Sequence, residues 1–299
     1  MLFLDRSQVE RRLDLRALLE VLSSALVDLS TGRASAPPRI AARAPNGLLA
    51  AMPGCAAGVL GAKLVTVFAE NERRGLPGHQ ALIALFDADK GAPLAVLDGT
   101  AITATRTGLV SALATRSLAR SDAHVLAVIG TGVQARSHLA ALPLVRKFAE
   151  IRVTGRNPER VDELAADFGC KPYSEIESAV RGADVVCCCT HADRPILNRA
   201  WLTPGAHVNS VGLGGELDRG TIDSAGVLAV ESLVAFDPFP AGAFELQGVD
   251  RARGVELGKL FAGSSSGRQS ASQLTVYKSV GHAVEDVAVA AWILRRNIE

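Results

Sequence analysis

Residues Val128-Ile129-Gly130-Thr131-Gly132-Val133-Gln134-Ala135 make a G-x-G-x-x-A pattern between a continuous apolar run and a helical one. Each small residue has a task there: Gly130 permits a tight turn, Gly132 lets the backbone approach a pyrophosphate, and Ala135 allows close helix–strand packing. The helix N-terminus that follows attracts phosphate. The pattern alone also describes a turn without a ligand. Its strand–turn–helix context makes it a dinucleotide-binding candidate, with Thr131, Val133 and Gln134 completing the turn. About 20 residues beyond such glycines, NAD enzymes usually place a carboxylate for the ribose hydroxyls. This chain instead reads Thr154-Gly155-Arg156-Asn157-Pro158-Glu159-Arg160. Arg156 takes the carboxylate's place and Arg160 lies one turn into the next helix. A guanidinium can bind a 2′-phosphate that a carboxylate would repel, although two solvated surface arginines are the plain alternative. The residues favour NADPH over NADH, with Arg156, Asn157 and Arg160 as binding residues. Thr190 and Val211 end two later strands and are expected at the same sheet edge.

Two other features could carry chemistry. Lys63 sits in the run Gly61 to Phe68, which is so apolar that an unpaired buried ammonium would be costly; a charge on an exposed strand face is the alternative. Cys187, Cys188 and Cys189 are consecutive, so their side chains alternate across a strand and converge poorly on a metal. They read as small residues filling a buried strand, and no metal site is expected. Five cysteines do not make a disulfide framework, and the first residues lack a basic and apolar leader pattern. With no apolar stretch of about 18 residues, these features lead to the expectation of a reduced, cytoplasmic protein without a membrane partner. A formal net charge of +1 gives no support for a nucleic-acid partner.

The elements that must position these groups fall into two patterns. A length of 299 residues suggests two domains or one large α/β unit. Leu15 to Thr31 has helical spacing. Strands are expected over Leu48 to Met52, Gly61 to Phe68, Gln80 to Asp87 and Pro93 to Asp98, with a hairpin-like turn at Asp89-Lys90-Gly91. A helix from about Thr105 to Ala119 closes this largely antiparallel α+β region. The pattern then changes to apolar strands alternating with helices: His124 to Ile129, Ile151 to Thr154, Asp184 to Thr190, His207 to Val211 and Val227 to Val230. Helices over Val133 to Phe148 and Pro158 to Phe168 lie between the first of them. Such alternation indicates a parallel sheet covered on both faces. A last helix, Val276 to Arg296, is expected to pack back on the first domain. The fold expected is thus α/β, a Rossmann-type doubly wound parallel sheet over 119–279. It is joined to an N-terminal α+β domain made of 1–118 and closed by 280–299.

The chain resembles the ornithine cyclodeaminase/mu-crystallin family over nearly its whole length. The resemblance rests on Pro38-Arg39, on Gly61-Ala62-Lys63-Leu64-Val65-Thr66-Val67-Phe68 with Asn71, and on Leu76-Pro77-Gly78-His79-Gln80. Further pieces are Leu97-Asp98-Gly99, Ile102-Thr103, Arg106-Thr107-Gly108, the run from Pro204 to Gly212 and the run from Tyr277 to Asp286. It implies an N-terminal substrate-binding and dimerisation domain, a homodimer formed through it, and a substrate cleft beside the Rossmann domain. It also implies that Arg39, Lys63 and Arg106 hold a substrate carboxylate, and that Ser279 and Gly281 begin the last helix near nicotinamide and substrate. His79 matches a histidine of the mu-crystallin-like branch; it would bond the imine nitrogen or its proton source, or serve as a structural strand histidine. Lys63 and His79 are therefore the catalytic candidates. Fixed cations holding a carboxylate next to the carbon that exchanges hydride supply the orientation catalysis needs.

One departure separates the chemistries. Cyclodeaminases of this family carry an Asp just after the Val-Gly step, where this chain reads Val211-Gly212-Leu213-Gly214-Gly215-Glu216-Leu217-Asp218. Leu213 cannot accept a proton or bond water, so deamination loses its base. Glu216 either braces the loop or replaces the missing carboxylate. The resemblance favours NADPH-dependent reduction of cyclic α-imino acids, such as Δ1-pyrroline-2-carboxylate or Δ1-piperideine-2-carboxylate, to proline- or pipecolate-like amino acids. The alternatives are an alanine-type amino-acid dehydrogenase, then an ornithine cyclodeaminase, or a protein that binds NADPH and a small ligand without turnover.

Overall fold

The computed structural model describes residues 1–296, the side chains of residues 72 and 73 excepted. The chain divides into two compact units, Met1–Arg106 with His282–Glu299, and Thr107–Gly281. The first border expected from the sequence thus moves from 118 to 106. The helix Gly99–Leu118 is continuous, and its distal part is tied into the second unit through Ser111 to His138 and Thr115 to Asn209. Residues 280 and 281 also belong to the second unit. Residues 297–299 of the expected C-terminal segment lie outside the described residues.

The first unit holds a six-stranded sheet: β1 (Leu2–Leu4), β2 (Ile40–Ala44), β3 (Gly47–Ala56), β4 (Val59–Val67), β5 (His79–Asp87) and β6 (Pro93–Asp98). Their order is β1-β6-β5-β4-β3-β2, antiparallel except for the β1–β6 pair. A two-residue loop joins β3 to β4, with positive φ at both Ala57 (52°) and Gly58 (72°), as the right-handed strand twist favours. Asp87 accepts the backbone N–H groups of Asp89 and Lys90 in the expected turn before β6.

Along β4 burial alternates, so that Val59, Gly61, Lys63 and Val65 face inward. The register places Met52 of β3 and Ile83 of β5 on either side of Lys63. The C-terminal helix Ala283–Arg295 covers this inner face, and the amphipathic helix Leu15–Ser30, capped by Asp14, packs against it. The C-terminal helix comes so close that a Cβ on Gly61 would stand 2.9 Å from a Val287 methyl.

The second unit is an eight-stranded sheet in which every pair is parallel: β7 (Val125–Ile129), β8 (Glu150–Thr154), β9 (Lys171–Tyr173), β10 (Val185–Cys188), β11 (His207–Ser210), β12 (Val227–Val230), β13 (Gly254–Glu256) and β14 (Thr275–Lys278). The order is β13-β12-β14-β11-β10-β7-β8-β9. From β7 the chain runs outward through β8 and β9, then returns to β10 on the other side. The gap between β7 and β10 is therefore the topological switch point at which such sheets bind ligands.

Two expected helices are shorter than the apolar pattern suggests. The helix after β7 stops at Ala141 and passes into a single 3-10 turn, Leu142–Leu144, because Pro143 cannot continue an α-helix. The expected helix Val276 to Arg296 begins as β14, inserted between β11 and β12, and becomes helical only at Ala283. A short run such as Thr-Val-Tyr-Lys, buried on both faces, shows no periodicity that separates strand from helix.

The three consecutive cysteines are all buried, as expected. Burial pushes the Cys187 thiol up to about 12 and raises the thiols of Cys188 and Cys189 well above their usual range, so they pack as thiols. Among the described residues no group of His, Cys, Asp and Glu could hold a metal ion, and no helix is long and apolar enough to cross a membrane.

Candidate active site

At the end of β7, Gly130 adopts φ 120° and donates its N–H to the Thr154 carbonyl at 2.8 Å. A side chain there would run into the Cys189 carbonyl oxygen at the end of β10, so the switch point closes around this glycine. Gly132 is different: it caps the helix Val133–Ala141, and nothing lies within 4 Å of where its Cβ would be. The first-turn N–H groups of that helix therefore open onto free space, which a Cβ would partly fill. Ala135 is fully buried against the sheet, while Val133 is exposed. Thr131 packs on Gly155, where a Cβ would stand 2.9 Å from its methyl group. The Gln134 carbonyl accepts from His138 Nδ1 at 2.7 Å. Burial holds the His138 pKa at about 4, so the ring is neutral and its Nε2 accepts from the Ser111 hydroxyl at 2.8 Å. This turn fits a dinucleotide pyrophosphate: close backbone, a free helix N-terminus and no competing side chain.

Arg156 and Arg160 are both exposed beyond the end of β8. Asn157 between them caps the helix Pro158–Phe168, its side chain accepting the Arg160 N–H at 3.1 Å.

The C-terminal edges of β10, β11 and β14 are tied by a network that sequence reading saw only in part. Glu216, fully buried, accepts four hydrogen bonds: the N–H (2.7 Å) and hydroxyl (2.8 Å) of Thr190, the Ser210 hydroxyl (2.8 Å) and the Gly212 N–H (2.8 Å). Lys278 donates to the Ser210 hydroxyl at 3.0 Å and to the Gly212 carbonyl, and pairs with Glu245 at 2.6 Å. Glu245 in turn accepts the N–H groups of Glu216 (2.6 Å) and Leu217 (3.2 Å). Val211 N–H donates to the Cys188 carbonyl at 3.1 Å. Thr190 and Val211 follow β10 and β11 in a loop pair held by buried charges.

Ser279 and Gly281 do not begin the last helix, contrary to expectation; they follow β14, and His282 is the helix cap. Both are gathered by buried Glu231 at the end of β12. Its carboxylate accepts the Tyr277 hydroxyl (2.8 Å), the Ser279 hydroxyl (2.5 Å) and the N–H groups of Val280 (3.2 Å) and Gly281 (2.9 Å).

In the first unit, Lys63 and Arg106 meet a pair of carboxylates from the C-terminal helix. Lys63 Nζ lies 2.7 Å from Asp286 Oδ2; Arg106 donates to Asp286 Oδ1 at 3.1 Å and to Glu285 Oε2 at 2.7 Å. Burial pulls the Lys63 pKa down, the neighbouring Asp286 pushes it back, and Arg106 and Arg39 lower it again, leaving it at about 8. Burial alone would raise the Asp286 carboxyl, but Arg106 and Lys63 hold it below its usual range. Arg39 is half-buried just before β2, close enough for its charge to act on Lys63. His79 opens β5 opposite Val67, on the same sheet face as Lys63 and four residues along from Lys63's partner Ile83. That spacing is about 13 Å along the strand, so His79 and Lys63 are not adjacent.

A family model for the ornithine cyclodeaminase/mu-crystallin family matches residues 1–299. The chain belongs to this family. It is similar to the ketimine reductase mu-crystallin of Mus musculus, 38% identical over 253 residues covering 82% of this chain and 79% of that protein. It is also similar to a Δ1-pyrroline-2-carboxylate reductase of Bacillus cereus, 33% identical over 322 residues covering 100% of this chain and 97% of that one. Among solved structures, the Thermococcus litoralis Δ1-pyrroline-2-carboxylate reductase in complex with NADH and L-proline superposes with a TM-score of 0.92 at 31% identity, covering 100% of this chain and 98% of that one.

Within the ornithine cyclodeaminase/mu-crystallin family, the loop after β11 decides which reactions this member can support. Leu213 packs against the apolar core of the second unit. Glu216 has both carboxylate oxygens occupied by four donors and no exposed surface, so it braces the loop and leaves no oxygen for water or an amine. Glu231, Glu245, Lys278, Glu285 and Asp286 went unread as functional groups. The last three lie inside the Tyr277–Asp286 run, where a lysine and two carboxylates in a segment buried throughout were the available signal.

Proposed function

We propose that this family member is an NADPH-dependent reductase of cyclic α-imino acids, acting on Δ1-pyrroline-2-carboxylate or Δ1-piperideine-2-carboxylate to give proline- or pipecolate-like products. The observation that carries this reading is the buried Lys63–Arg106 pair in a chain whose loop carboxylate is already used. That combination supports holding an imino-acid carboxylate but offers no base for deamination. The similarity to reductases of ketimines and of Δ1-pyrroline-2-carboxylate points the same way.

In this reading Lys63 and Arg106, with Arg39 beside them, bind the carboxylate and set the imine carbon for attack, and His79 bonds the imine nitrogen or its proton source. A reduced nicotinamide dinucleotide supplies the hydride when bound. Gly130, Thr131, Gly132, Val133, Gln134 and Ala135 hold its pyrophosphate, Thr190 and Val211 line its far edge, and Ser279 and Gly281 flank the nicotinamide and substrate. A cyclic iminium accepts hydride directly, so orientation and charge supply most of what the step needs. The test follows oxidation of NADPH and NADH with the two cyclic imines, and with pyruvate plus ammonia as contrast. Turnover with the imines and little with pyruvate supports the reading; NADPH binding without turnover of either imine defeats it in favour of a binding protein.

The cofactor preference rests on Arg156, with Arg160 one turn on and Asn157 shaping the helix start between them. Both guanidiniums are exposed and free to turn toward a 2′-phosphate. Replacing Arg156 with Asp is expected to lower kcat/KM for NADPH about ten- to a hundredfold while sparing NADH, the effect of losing one charge-assisted contact and adding a repulsion. Equal losses with both cofactors would remove Arg156 from the phosphate site.

A homodimer is part of the same proposal. The outer face of the six-stranded sheet carries Leu49, Leu60, Leu64, Leu82 and Phe86, all exposed and aligned by the strand register. A contiguous apolar face of this kind marks an interface, and the occupant proposed is a second copy of this chain. Leu64→Lys with Leu82→Lys is expected to shift the sedimentation coefficient from dimer to monomer; a wild-type chain that sediments as a monomer removes the proposal.

A further inference from the structure

Lys63 and Arg106 are joined by a single carboxylate. Asp286 offers Oδ2 to Lys63 and Oδ1 to Arg106, and all three side chains are almost wholly buried. We propose that Asp286 is a positioning residue for the imine reduction: it holds Lys63 beside Arg106 in its cationic form, so that the substrate carboxylate meets two oriented charges. The inference rests on the carboxylate-clamp reading of Lys63 and Arg106.

Charge balance gives the reason. Lys63 and Arg106 are matched by Asp286 and Glu285, so these four groups are neutral together. Without Asp286 the remaining three would carry one excess positive charge in a buried site. Arginine keeps its proton, so the available relief is loss of the Lys63 proton. An unprotonated amine would leave the carboxylate with Arg106 and Arg39 alone.

The charged groups facing Lys63 come from three directions. They are Asp286 with its neighbour Glu285 on the C-terminal helix, Arg106 on the helix Gly99–Leu118, and Arg39 before β2. Its strand neighbours, Met52 and Ile83, are apolar, and His79 is four residues beyond Ile83 on the same face. With its pKa at about 8, Lys63 is cationic at neutral pH by a small margin: burial, Arg106 and Arg39 lower it, and Asp286 raises it.

The experiment is the pH profile of kcat/KM for a cyclic imino acid, measured on the full chain. The wild type is expected to fall above about pH 8, as Lys63 loses its proton. Asp286→Asn is expected to move that limb down by about one unit or more, which is a loss of roughly tenfold or more on the alkaline side. The dissociation constant for NADPH stays unchanged. Asp286→Glu retains the charge and is expected to keep the limb near its wild-type position while KM rises, which also serves if the Asn variant does not fold. A role in packing alone would lower activity by one factor at every pH and leave the limb in place for both variants, and that result overturns the inference. Lys63→Met separates the two levels of argument. If it leaves KM and the limb unaltered, the clamp reading has failed. If it raises KM and abolishes the limb while Asp286→Asn does not shift it, only the role of Asp286 has failed.

Discussion

Replacing Lys63 with methionine is expected to lower kcat/KM for a cyclic imino acid by roughly 30- to 1,000-fold, the equivalent of about 2–4 kcal/mol for losing one partner of a buried charge pair. The loss should appear mainly as a higher KM for the imino acid, because the contact is with a carboxylate that does not itself react. Methionine fills nearly the same space between Met52 and Ile83, and Asp286 keeps Arg106 as a partner. Arg106 then faces both Asp286 and Glu285, so one buried carboxylate charge loses its cation, and removing an ammonium whose burial is unfavourable offsets only part of that cost. The dissociation constant for NADPH, set in the other unit, should stay within about twofold. Steady-state kinetics beside a fluorescence titration of the cofactor separates these outcomes. A loss confined to kcat would make Lys63 a proton donor first and a clamp second, and no loss at all would remove it from the site.

What could be read from the sequence was what chemistry needs locally. The turn around Gly130 is contained in eight consecutive residues, and the strand and helix it requires flank it directly, so pattern and context could be checked together. Lys63 was legible as an anomaly, a lone ammonium in an apolar strand, but its partner was not. Arg106 bonds Asp286 and Glu285 across sequence separations of 180 and 179 residues, and no local rule pairs residues that distant. The misreading of Val276–Lys278 as helix had a physical cause of the same kind. A strand between two parallel neighbours is buried on both faces and shows no alternation, and the register that makes it a strand is set by β11 and β12. With β14 hidden, Lys278 fell inside the expected helix, and its partner Glu245 was not singled out. Glu216 shows the converse: two roles were open from its position after Leu213, and only its four donors, drawn from two strands' ends, decide for the brace.

The buried pair of Lys278 and Glu245 should show the largest effect on stability. Lys278 has no exposed side-chain surface and Glu245 only 5%. Lys278→Met would leave the Glu245 Oε2 charge buried without its cation, and would remove the donor from Ser210 and Gly212. Breaking a buried ion pair on one side costs about 3–5 kcal/mol, against a total stability of about 5–15 kcal/mol, so the thermal midpoint should drop sharply. The companion change, Glu245→Gln, is chosen because Oε1 accepts the N–H groups of Glu216 and Leu217, an acceptor that glutamine retains. The double variant removes both charges together, and most of the lost stability should return. Cofactor binding is expected to follow a different course. The Gly212 carbonyl and Ser210 hydroxyl stay without Lys278 in the double variant, so the loop from Val211 to Glu216 keeps its Glu216 brace but loses the Lys278 tie, and the KM for NADPH should remain raised. If stability and KM recover together, the pair does no more than fill the core. If neither recovers, the damage lies in the loop itself, and Glu216 with its four donors is holding it against β14 only through Lys278.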